Sequence, residues 1–254
     1  MSAAAPTGCR HRHLLVAGAQ RCGTTYLARA LDAHPDATMA RPSPPEPKVF
    51  CDAALSARGL ESYHRTWFAH ARGELLLGDK STSYLEDPAA PARAAEMLGE
   101  PSVVVLLRDP VRRAVSHWRF STTHGLETRS LEEALLADLD EDQPWDRERS
   151  SVSPFAYLRR GRYASQLRPW LAAFPDTTHV LFLEELLADP DVLRRLVADL
   201  GLDPDRTPIP VDDPVNASPG EVPVLDVGLA GTLEGYFEDS NADLTQLLGR
   251  PLPW

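Results

Sequence analysis

His13-Leu-Leu-Val-Ala-Gly18-Ala-Gln-Arg-Cys-Gly23-Thr-Thr-Tyr-Leu27 is the stretch of sequence that decides the fold. An apolar run typical of a buried strand leads into a short loop between two glycines, and the residues after the loop have the periodicity of an amphipathic helix. Glycines allow a loop to curl until successive backbone N–H groups converge, and the N-terminus of the next helix adds partial positive charge at that point. The stretch therefore predicts a strand, a loop and a helix that together bind a phosphate-like anion.

The side chains of this loop indicate which class of phosphate-like ligand it would bind. In nucleoside-triphosphate enzymes the second glycine is followed by a lysine, which reaches the β- and γ-phosphates, and then by Ser or Thr. Here Thr24 stands in the lysine position, and the cation of the loop is Arg21, two residues before Gly23. Two glycines alone would fit an ordinary turn, but Arg21, Thr24 and Thr25 in one loop favour a ligand site. The missing lysine argues against an ATP-dependent phosphotransferase.

The whole chain has the size and composition of one enzyme domain. Its 254 residues, 43% of them hydrophobic, are enough for one sizeable core. A formal charge of −11 argues against nucleic acid or an anionic membrane as a partner and favours a small or neutral ligand over a long polyanion. We expect residues 1–12 to form a disordered tail and residues 13–254 to form the domain. The apolar runs are too short for a signal peptide or a membrane span, so a cytoplasmic protein is expected.

Strands and helices alternate along the chain. Apolar, β-rich runs are separated by segments of helical character, and they lie at residues 13–17, 75–77, 102–107 and 179–183. This alternation predicts a single α/β domain with a central, mainly parallel sheet flanked by helices, in a P-loop-like architecture.

Several helices are marked by local signals. Asp can cap free N–H groups and Pro suits the first helical turn, so three Asp-Pro pairs predict helix starts, at residues 87–88, 109–110 and 189–190. An aromatic and leucine stripe from Tyr163 to Phe174 has helical spacing, and the tail over residues 224–248 is also predicted to be helical.

A second motif joins the glycine loop, and together they carry a family resemblance. Val103-Val-Val-Leu-Leu-Arg108-Asp-Pro-Val-Arg-Arg-Ala-Val-Ser116 reads as a strand that ends in Arg, followed by a capped helix that carries Ser. With the loop, it resembles the sulfotransferases that use 3′-phosphoadenosine 5′-phosphosulfate (PAPS), in particular the branch with the heparan sulfate N- and 3-O-sulfotransferases and their bacterial relatives. The resemblance spans nearly the whole chain. It implies sulfuryl transfer from PAPS, with 3′-phosphoadenosine 5′-phosphate (PAP) as product and no metal; Cys9, Cys22 and Cys51 also lack metal-ligand spacing.

The resemblance assigns donor-binding roles to several residues. It implies that the loop binds the 5′-phosphosulfate through Gly18, Gln20, Arg21, Cys22, Gly23, Thr24 and Thr25, with Arg21 in place of the usual Lys. It also implies that Arg108 and Ser116 hold the 3′-phosphate. Independently, Arg108 lies at the carboxyl end of a predicted buried strand, where open α/β sheets bind ligands, and its guanidinium can donate a fork of hydrogen bonds. Gly161-Arg-Tyr163 resembles a third family segment that borders the nucleotide, although a helix with an aromatic core face explains Tyr163 equally well.

The resemblance also implies catalytic roles. Glu46, in Pro45-Glu-Pro-Lys-Val-Phe50, matches the Glu-Pro-x-x-Phe stretch of the 3-O-sulfotransferase branch and is the expected general base. Lys80, in Gly78-Asp-Lys-Ser-Thr-Ser-Tyr84, matches the element beside the transferring group and would neutralise charge together with Arg21. His124, in Thr123-His-Gly125, is a secondary candidate for the base or an acceptor contact, although an exposed loop histidine explains it about as well.

The acceptor side and the C-terminal region carry the open questions. The loops over residues 40–48 and 138–153 are predicted to border the acceptor, which is expected to be a small molecule or a sugar, such as a secondary metabolite. Relatives cover the nucleotide with a Cys-bounded loop that contains Lys and aromatics, whereas residues 213–220 contain none of these; Asn216 and Ser218 could replace some polar contacts. Two alternatives stay open at this point: a small-molecule kinase that uses ATP, and a nucleotide-binding protein without catalysis.

Overall fold

A five-stranded sheet forms the centre of the molecule. The computed structural model describes residues 11–140, 143–146, 152–206 and 221–254. The strands of this described part are β1 (Arg12–Gly18), β2 (Ala37–Met39), β3 (Leu76–Lys80), β4 (Ser102–Leu107) and β5 (Thr178–Phe182). They are arranged in the order β2-β3-β1-β4-β5, and each neighbouring pair is parallel. The predicted α/β fold with a parallel sheet is confirmed.

The two central strands are apolar along nearly their whole length. Residues 14–17 of β1 and residues 103–107 of β4 are buried on both faces of the sheet. A parallel sheet needs such continuous apolar runs because helices cover both of its faces. This requirement explains why β1 and β4 were the clearest strand signals in the sequence.

Ten α-helices surround the sheet in the described part of the chain. They are α1 (Thr24–Asp32), α2 (Ala53–Ser56), α3 (Gly59–Trp67), α4 (Ala90–Leu98), α5 (Pro110–Thr123), α6 (Leu131–Asp140), α7 (Tyr163–Ala173), α8 (Leu183–Ala188), α9 (Pro190–Asp199) and α10 (Val227–Leu248). Asp109 and Asp189 cap α5 and α9 as predicted: Asp109 accepts two backbone N–H groups of the first turn of α5, and Asp189 accepts one in α9. Asp87 accepts the N–H of Ala89, but α4 begins only at Ala90.

Some boundaries differ from the sequence-based predictions. β1 begins at Arg12, whose Nη1 donates to the Leu200 carbonyl at 2.7 Å, so Arg12 belongs to the sheet and not to a tail; residues 1–10 lie outside the described part. β2 was not predicted, because three residues are too few to show a strand period. α6 extends to Asp140, so the start of the predicted loop at residue 138 is helical.

The order of the strands determines where a ligand can bind. The chain leaves β1 toward β2 and β3 on one side of the sheet and returns to β4 and β5 on the other side. In open parallel sheets, ligands bind in the crevice at the carboxyl ends of the strands where the order reverses in this way. Val16 of β1 pairs with Lys80 at the end of β3, and Gly18 pairs with Val105 of β4. The glycine loop, Lys80 and Arg108 therefore lie at the same edge of the sheet.

None of the helices in the described residues combines the length and apolar character needed to cross a bilayer.

Candidate active site

The loop between β1 and α1 has the backbone geometry that the sequence predicted. A Cβ atom on Gly18 would lie 2.7 Å from the Leu85 Cβ, and one on Gly23 would lie 2.7 Å from the Leu183 Cδ1. Gly23 also has a φ of 85°, which favours glycine, and α1 begins at the next residue. Both glycines are therefore required for the close packing of the loop, and α1 begins where Thr24 and Thr25 line a cleft.

Arg21 occupies the centre of this loop in a strained backbone conformation. Its φ of 66° lies in the left-handed region, which costs about 1–3 kcal/mol for a residue with a side chain. The side chain lies over the Phe120 ring, with 4.8 Å from Cζ to the ring centroid, and its Nε donates to Ser116 Oγ at 3.2 Å. The hydrogen bond joins the two predicted phosphate-binding motifs, which lie 95 positions apart in the sequence.

Positive charge is concentrated around Arg21. Burial and, to a smaller extent, the neighbouring charges of Arg108, Arg113 and Arg119 together lower the pKa of Arg21 to about 10. Cations that lie this close together repel one another unless an anion lies between them. The group therefore fits a ligand with more than one negative charge.

Arg113 is a member of this group that the sequence predictions missed. It is fully buried on α5, and its Nη2 donates to the Tyr157 carbonyl, but its Nε and Nη1 have no hydrogen-bond partner. A buried guanidinium without full pairing is costly, which makes this side chain a second sign of an anionic ligand nearby. Its position between Arg108 and Ser116 in the same motif was the available signal.

Three predicted donor-site residues support the site from behind. The Tyr163 hydroxyl donates to the Arg108 carbonyl at 2.8 Å and lies 3.7 Å from the Cys22 Sγ. Burial raises the pKa of the Cys22 thiol to about 11, and its backbone N–H bonds the Ala19 carbonyl at 3.3 Å. Gly161 is buried where a Cβ would lie 2.7 Å from the Phe237 ring. Tyr163, Cys22 and Gly161 thus support the backbone of the site, and all three residues are buried in the protein interior.

Glu46 and Lys80 form an ion pair that lines the same cleft as Thr24 and Thr25. Lys80 Nζ lies 2.9 Å from Glu46 Oε1, and the side chains are 15% and 20% exposed for Lys80 and Glu46 respectively. Thr82, which the predictions did not single out, donates its backbone N–H to Glu46 Oε2 at 3.0 Å and its hydroxyl to the same carboxylate. The carboxylate is therefore fixed in orientation by a cation and two further donors while it stays open to the cleft.

The cleft has a volume of about 850 Å³ and is lined by residues of the glycine loop and by the predicted catalytic pair. Its lining includes Gln20, Arg21, Thr24 and Thr25 from the glycine loop and α1, together with Glu46 and Lys80, whereas Arg108 and Ser116 are not among its lining residues. Its walls include residues of both predicted acceptor loops, among them Pro42, Pro44 and Val152.

Comparison of the sequence with protein-family models identifies the family to which this chain belongs. The model of the sulfotransferase domain matches residues 11–206, which include the glycine loop, Glu46, Lys80 and the motif from Arg108 to Ser116. The chain belongs to the sulfotransferase family. The resemblance inferred from the two motifs is thereby confirmed.

Named relatives of this sulfotransferase fall in the predicted branch. The chain is 30% identical over 194 residues to mouse heparan sulfate glucosamine 3-O-sulfotransferase 3B1, covering 74% of this chain and 45% of the relative. It is 27% identical over 163 residues to the bifunctional heparan sulfate N-deacetylase/N-sulfotransferase 1 of Caenorhabditis elegans, covering 63% of this chain and 18% of the relative. The chain thus spans less than half the length of these relatives.

A solved sulfotransferase structure from Alicyclobacillus acidocaldarius has the same fold over almost its whole length. The TM-score is 0.75 at 26% identity, and the match covers 95% of this chain and 97% of the other.

His124 stands apart from the groups that the fold of the sulfotransferase brings together. It is exposed at the end of α5, its Nδ1 pairs with the Phe120 carbonyl at 2.8 Å, and it is not among the cleft-lining residues. Its ring packs on Phe120, which does line the cleft, with 4.0 Å between ring centroids. The role of His124 as a secondary base stays a prediction that these contacts do not support.

His117, which was not predicted, lies in the cleft wall one residue after Ser116. Burial lowers its pKa well below the usual value, and the charges of Arg160, Arg113 and Arg21 act in the same direction, so the imidazole is neutral. Its Nε2 lies 3.4 Å from Arg160 Nη1. The ring therefore adds no charge to the cation group.

Two sequence-based predictions cannot be placed. Asn216 and Ser218 lie outside the described residues, and so does the rest of the segment over residues 207–220. Within the described ranges, no three His, Cys, Asp or Glu side chains are grouped as metal ligands.

Proposed function

We propose that this sulfotransferase transfers the sulfuryl group of PAPS to a hydroxyl of a small, largely uncharged acceptor, with Glu46 as the general base. The observation that carries the proposal is that the same cleft is lined by Arg21, which bonds Ser116, and by the Glu46–Lys80 pair. A group that binds anions and a group that can accept a proton therefore face the same space. Transfer to a hydroxyl needs both.

The residues of the first group fit the two charged ends of the donor. The glycine loop, Arg21 and the start of α1 would hold the 5′-phosphosulfate, and Arg108 and Ser116 would hold the 3′-phosphate. The excess of positive charge around Arg21 and the unpaired nitrogens of Arg113 support this assignment. When bound, PAPS supplies an activated sulfuryl group, with PAP as the leaving group.

Glu46 and its neighbours would handle the proton and the developing charge. The carboxylate takes the proton of the acceptor hydroxyl, and Thr82 keeps the oxygens aimed at the cleft. Once Glu46 is protonated, Lys80 at 2.9 Å has lost its negative partner, and its charge is available to the sulfuryl oxygens. Arg21 would act on the same oxygens from the other side.

The walls of the cleft favour an acceptor without charge. They include proline and apolar side chains, namely Pro42, Pro44, Pro47, Leu126 and Val152. The Arg41 guanidinium at the rim is paired with Asp32 at 3.2 Å, so much of its charge is already compensated. The relatives are named for heparan sulfate, a polyanion, but apolar walls and a net charge of −11 suit a neutral sugar or a secondary metabolite better. An amino acceptor is the second candidate, because one relative is named an N-sulfotransferase.

The test measures donor binding first and transfer second. Calorimetry with PAP should show binding, whereas ADP, which lacks the 3′-phosphate, should bind at least tenfold more weakly because Arg108 and Ser116 lose their partner. Sulfur-labelled PAPS should then label a neutral phenol, alkyl alcohol or glycoside faster than an N-sulfated heparan oligosaccharide, with EDTA present throughout. Absence of PAP binding, or Mg²⁺-dependent ATP turnover, would refute the proposal. Faster labelling of the oligosaccharide would refute the acceptor class alone.

A further inference from the structure

Asp79 is a buried carboxylate directly before Lys80, yet it belongs to the interior and not to the cleft. It is fully buried and does not line the cleft, in contrast to Glu46. Three hydroxyl groups donate to it: Tyr63 at 3.0 Å and Tyr84 at 2.7 Å to Oδ2, and Ser81 at 2.8 Å to Oδ1. A carboxylate with three donors and no access to the acceptor cannot exchange a proton with it directly. Any effect on the reaction must pass through its partners.

Ser81 links this carboxylate to the segment that contains the base. Its Oγ donates to Asp79 and also accepts the backbone N–H of Lys48 at 2.9 Å. A hydroxyl has one proton, and an ionised carboxylate can only accept, so the charge on Asp79 directs that proton and leaves the Ser81 lone pairs for Lys48. Burial raises the pKa of Asp79 to about 6, a value at which the carboxylate is still mostly ionised at neutral pH.

The segment after Glu46 is packed against the same group of side chains. Lys48 has a φ of 52°, so the chain turns sharply two residues after the base. Phe50 then inserts between the two tyrosines that donate to Asp79, with ring centroids 5.8 Å from Tyr63 and 5.3 Å from Tyr84. Lys80 and Thr82 thus contact the Glu46 carboxylate itself. Ser81 and the two tyrosines that donate to Asp79 contact the segment that follows Glu46, through the Lys48 N–H group and the Phe50 ring.

We propose that Asp79 and Ser81 act as a latch, a pair of positioning residues that fixes the backbone of the 46–50 segment so that the Glu46 carboxylate meets the acceptor hydroxyl. The proposal rests on the proposed function, in which Glu46 is the base. Proton transfer requires the carboxylate within hydrogen-bond distance of the hydroxyl, and a displacement of 1 Å can cost about 100-fold in rate. A latch on the backbone lowers that displacement without touching the reactants.

The decisive comparison is Ser81→Ala with Ser83→Ala in the 254-residue protein. Both serines are buried in the same short segment, but the Ser83 hydroxyl has no hydrogen-bond partner, so its removal controls for the loss of a hydroxyl as such. We expect Ser81→Ala to lower kcat roughly tenfold while the Kd of PAP and the acceptor KM stay within about twofold. Ser83→Ala should leave all three values within about twofold, and Ser81→Thr, which retains the hydroxyl, should restore most of kcat.

A second measurement does not depend on activity. In hydrogen exchange of the PAP-bound protein, Ser81→Ala should accelerate exchange of the Lys48 amide at least tenfold, and Ser83→Ala should leave it unchanged. Equal kcat for the two alanine variants, or a PAP Kd that weakens as much as kcat falls, would overturn the latch. Unchanged exchange at Lys48 would overturn it as well. A wild-type chain that transfers no sulfuryl group would instead refute the proposed function, whereas the exchange result would still decide whether the backbone is latched.

Discussion

Replacing Glu46 by Gln is the sharpest test of the chemistry, because the two side chains have the same shape and differ in their ability to take a proton. A positioned general base contributes about 10²- to 10⁴-fold to the rate, which corresponds to about 3–5 kcal/mol in the barrier. We therefore expect kcat of Glu46→Gln to fall at least 100-fold.

The structure predicts a much smaller effect of Glu46→Gln on stability and donor binding. One carboxylate oxygen faces Lys80 and the other faces the N–H of Thr82, so the amide can satisfy only one of these donors. The pair is partly exposed, so the loss should cost only about 1 kcal/mol of unfolding free energy. Arg21 and Arg108 are untouched, and the Kd of PAP should stay within about twofold.

The assay combines calorimetry with PAP, urea unfolding and single-turnover transfer from labelled PAPS. Single-turnover conditions separate the chemical step from product release. A Glu46→Gln enzyme that retains more than a tenth of the wild-type rate with normal PAP binding would refute the assignment of the base. A large loss of PAP binding would show that Glu46 contributes to the donor site instead.

Three further predictions follow from other parts of the molecule. Arg108→Ala should weaken PAP binding by about 2–3 kcal/mol in calorimetry, because a charge-assisted pair with the 3′-phosphate is lost. Gly161→Ala should lower the unfolding free energy by about 1–3 kcal/mol, since its Cβ would lie 2.7 Å from a ring of α10; Gly231→Ala, with open space around it, should be neutral or stabilising by about 0.5–1 kcal/mol. Burial and the neighbouring His64 and His11 lower the pKa of His13 from 6.5 to about 4. Between these two values the unfolded chain binds a proton at His13 and the folded chain does not. The unfolding free energy should therefore fall by about 2 kcal/mol from pH 7 to pH 5.

The outcomes that would contradict these three predictions are equally direct. An unchanged Kd for PAP in Arg108→Ala would remove that residue from the donor site. Equal melting temperatures for Gly161→Ala and Gly231→Ala would show that the chain relaxes around the added methyl group. If His13→Gln loses as much unfolding free energy between pH 7 and pH 5 as the wild type does, another group causes the acid sensitivity.

Local signals in the sequence were sufficient to predict the elements that carry the proposed donor site. The glycine loop, the strand β4 that ends one residue before Arg108 and the Asp109 cap of α5 are each encoded within a few consecutive residues, so the sequence predicts them directly. β2 was missed, because it has only three residues and is defined by its pairing with β3. Boundaries such as the end of β3 were also displaced, since Gly78 and Asp79 do not read as strand residues although the sheet continues through them.

The arrangement of the predicted catalytic residues could be recognised only in the tertiary structure. Glu46 and Lys80 had been singled out through a family resemblance, but only the fold shows that they pair at 2.9 Å. Thr82 and His117 were missed because a threonine in a turn or a histidine in a helix carries no local mark of its neighbours, and Arg113 was missed because only its position in the Arg108–Ser116 motif pointed to it. The burial of Asp79 was equally invisible, since its hydroxyl donors come from α3, from a turn and from the residue two positions after it.

By itself, the sequence determined the α/β class and the positions of the glycine loop and of the motif from Arg108 to Ser116, because strand period, glycine placement and helix caps are local properties of the chain. Only the tertiary structure decided that Arg21 bonds Ser116 across 95 positions, that one cleft is lined by Arg21 and by the Glu46–Lys80 pair, and that Ser81 ties the Glu46 segment to Asp79. The physical reason is that a charge acquires its function from the groups within a few ångströms of it, and packing of distant segments sets those distances.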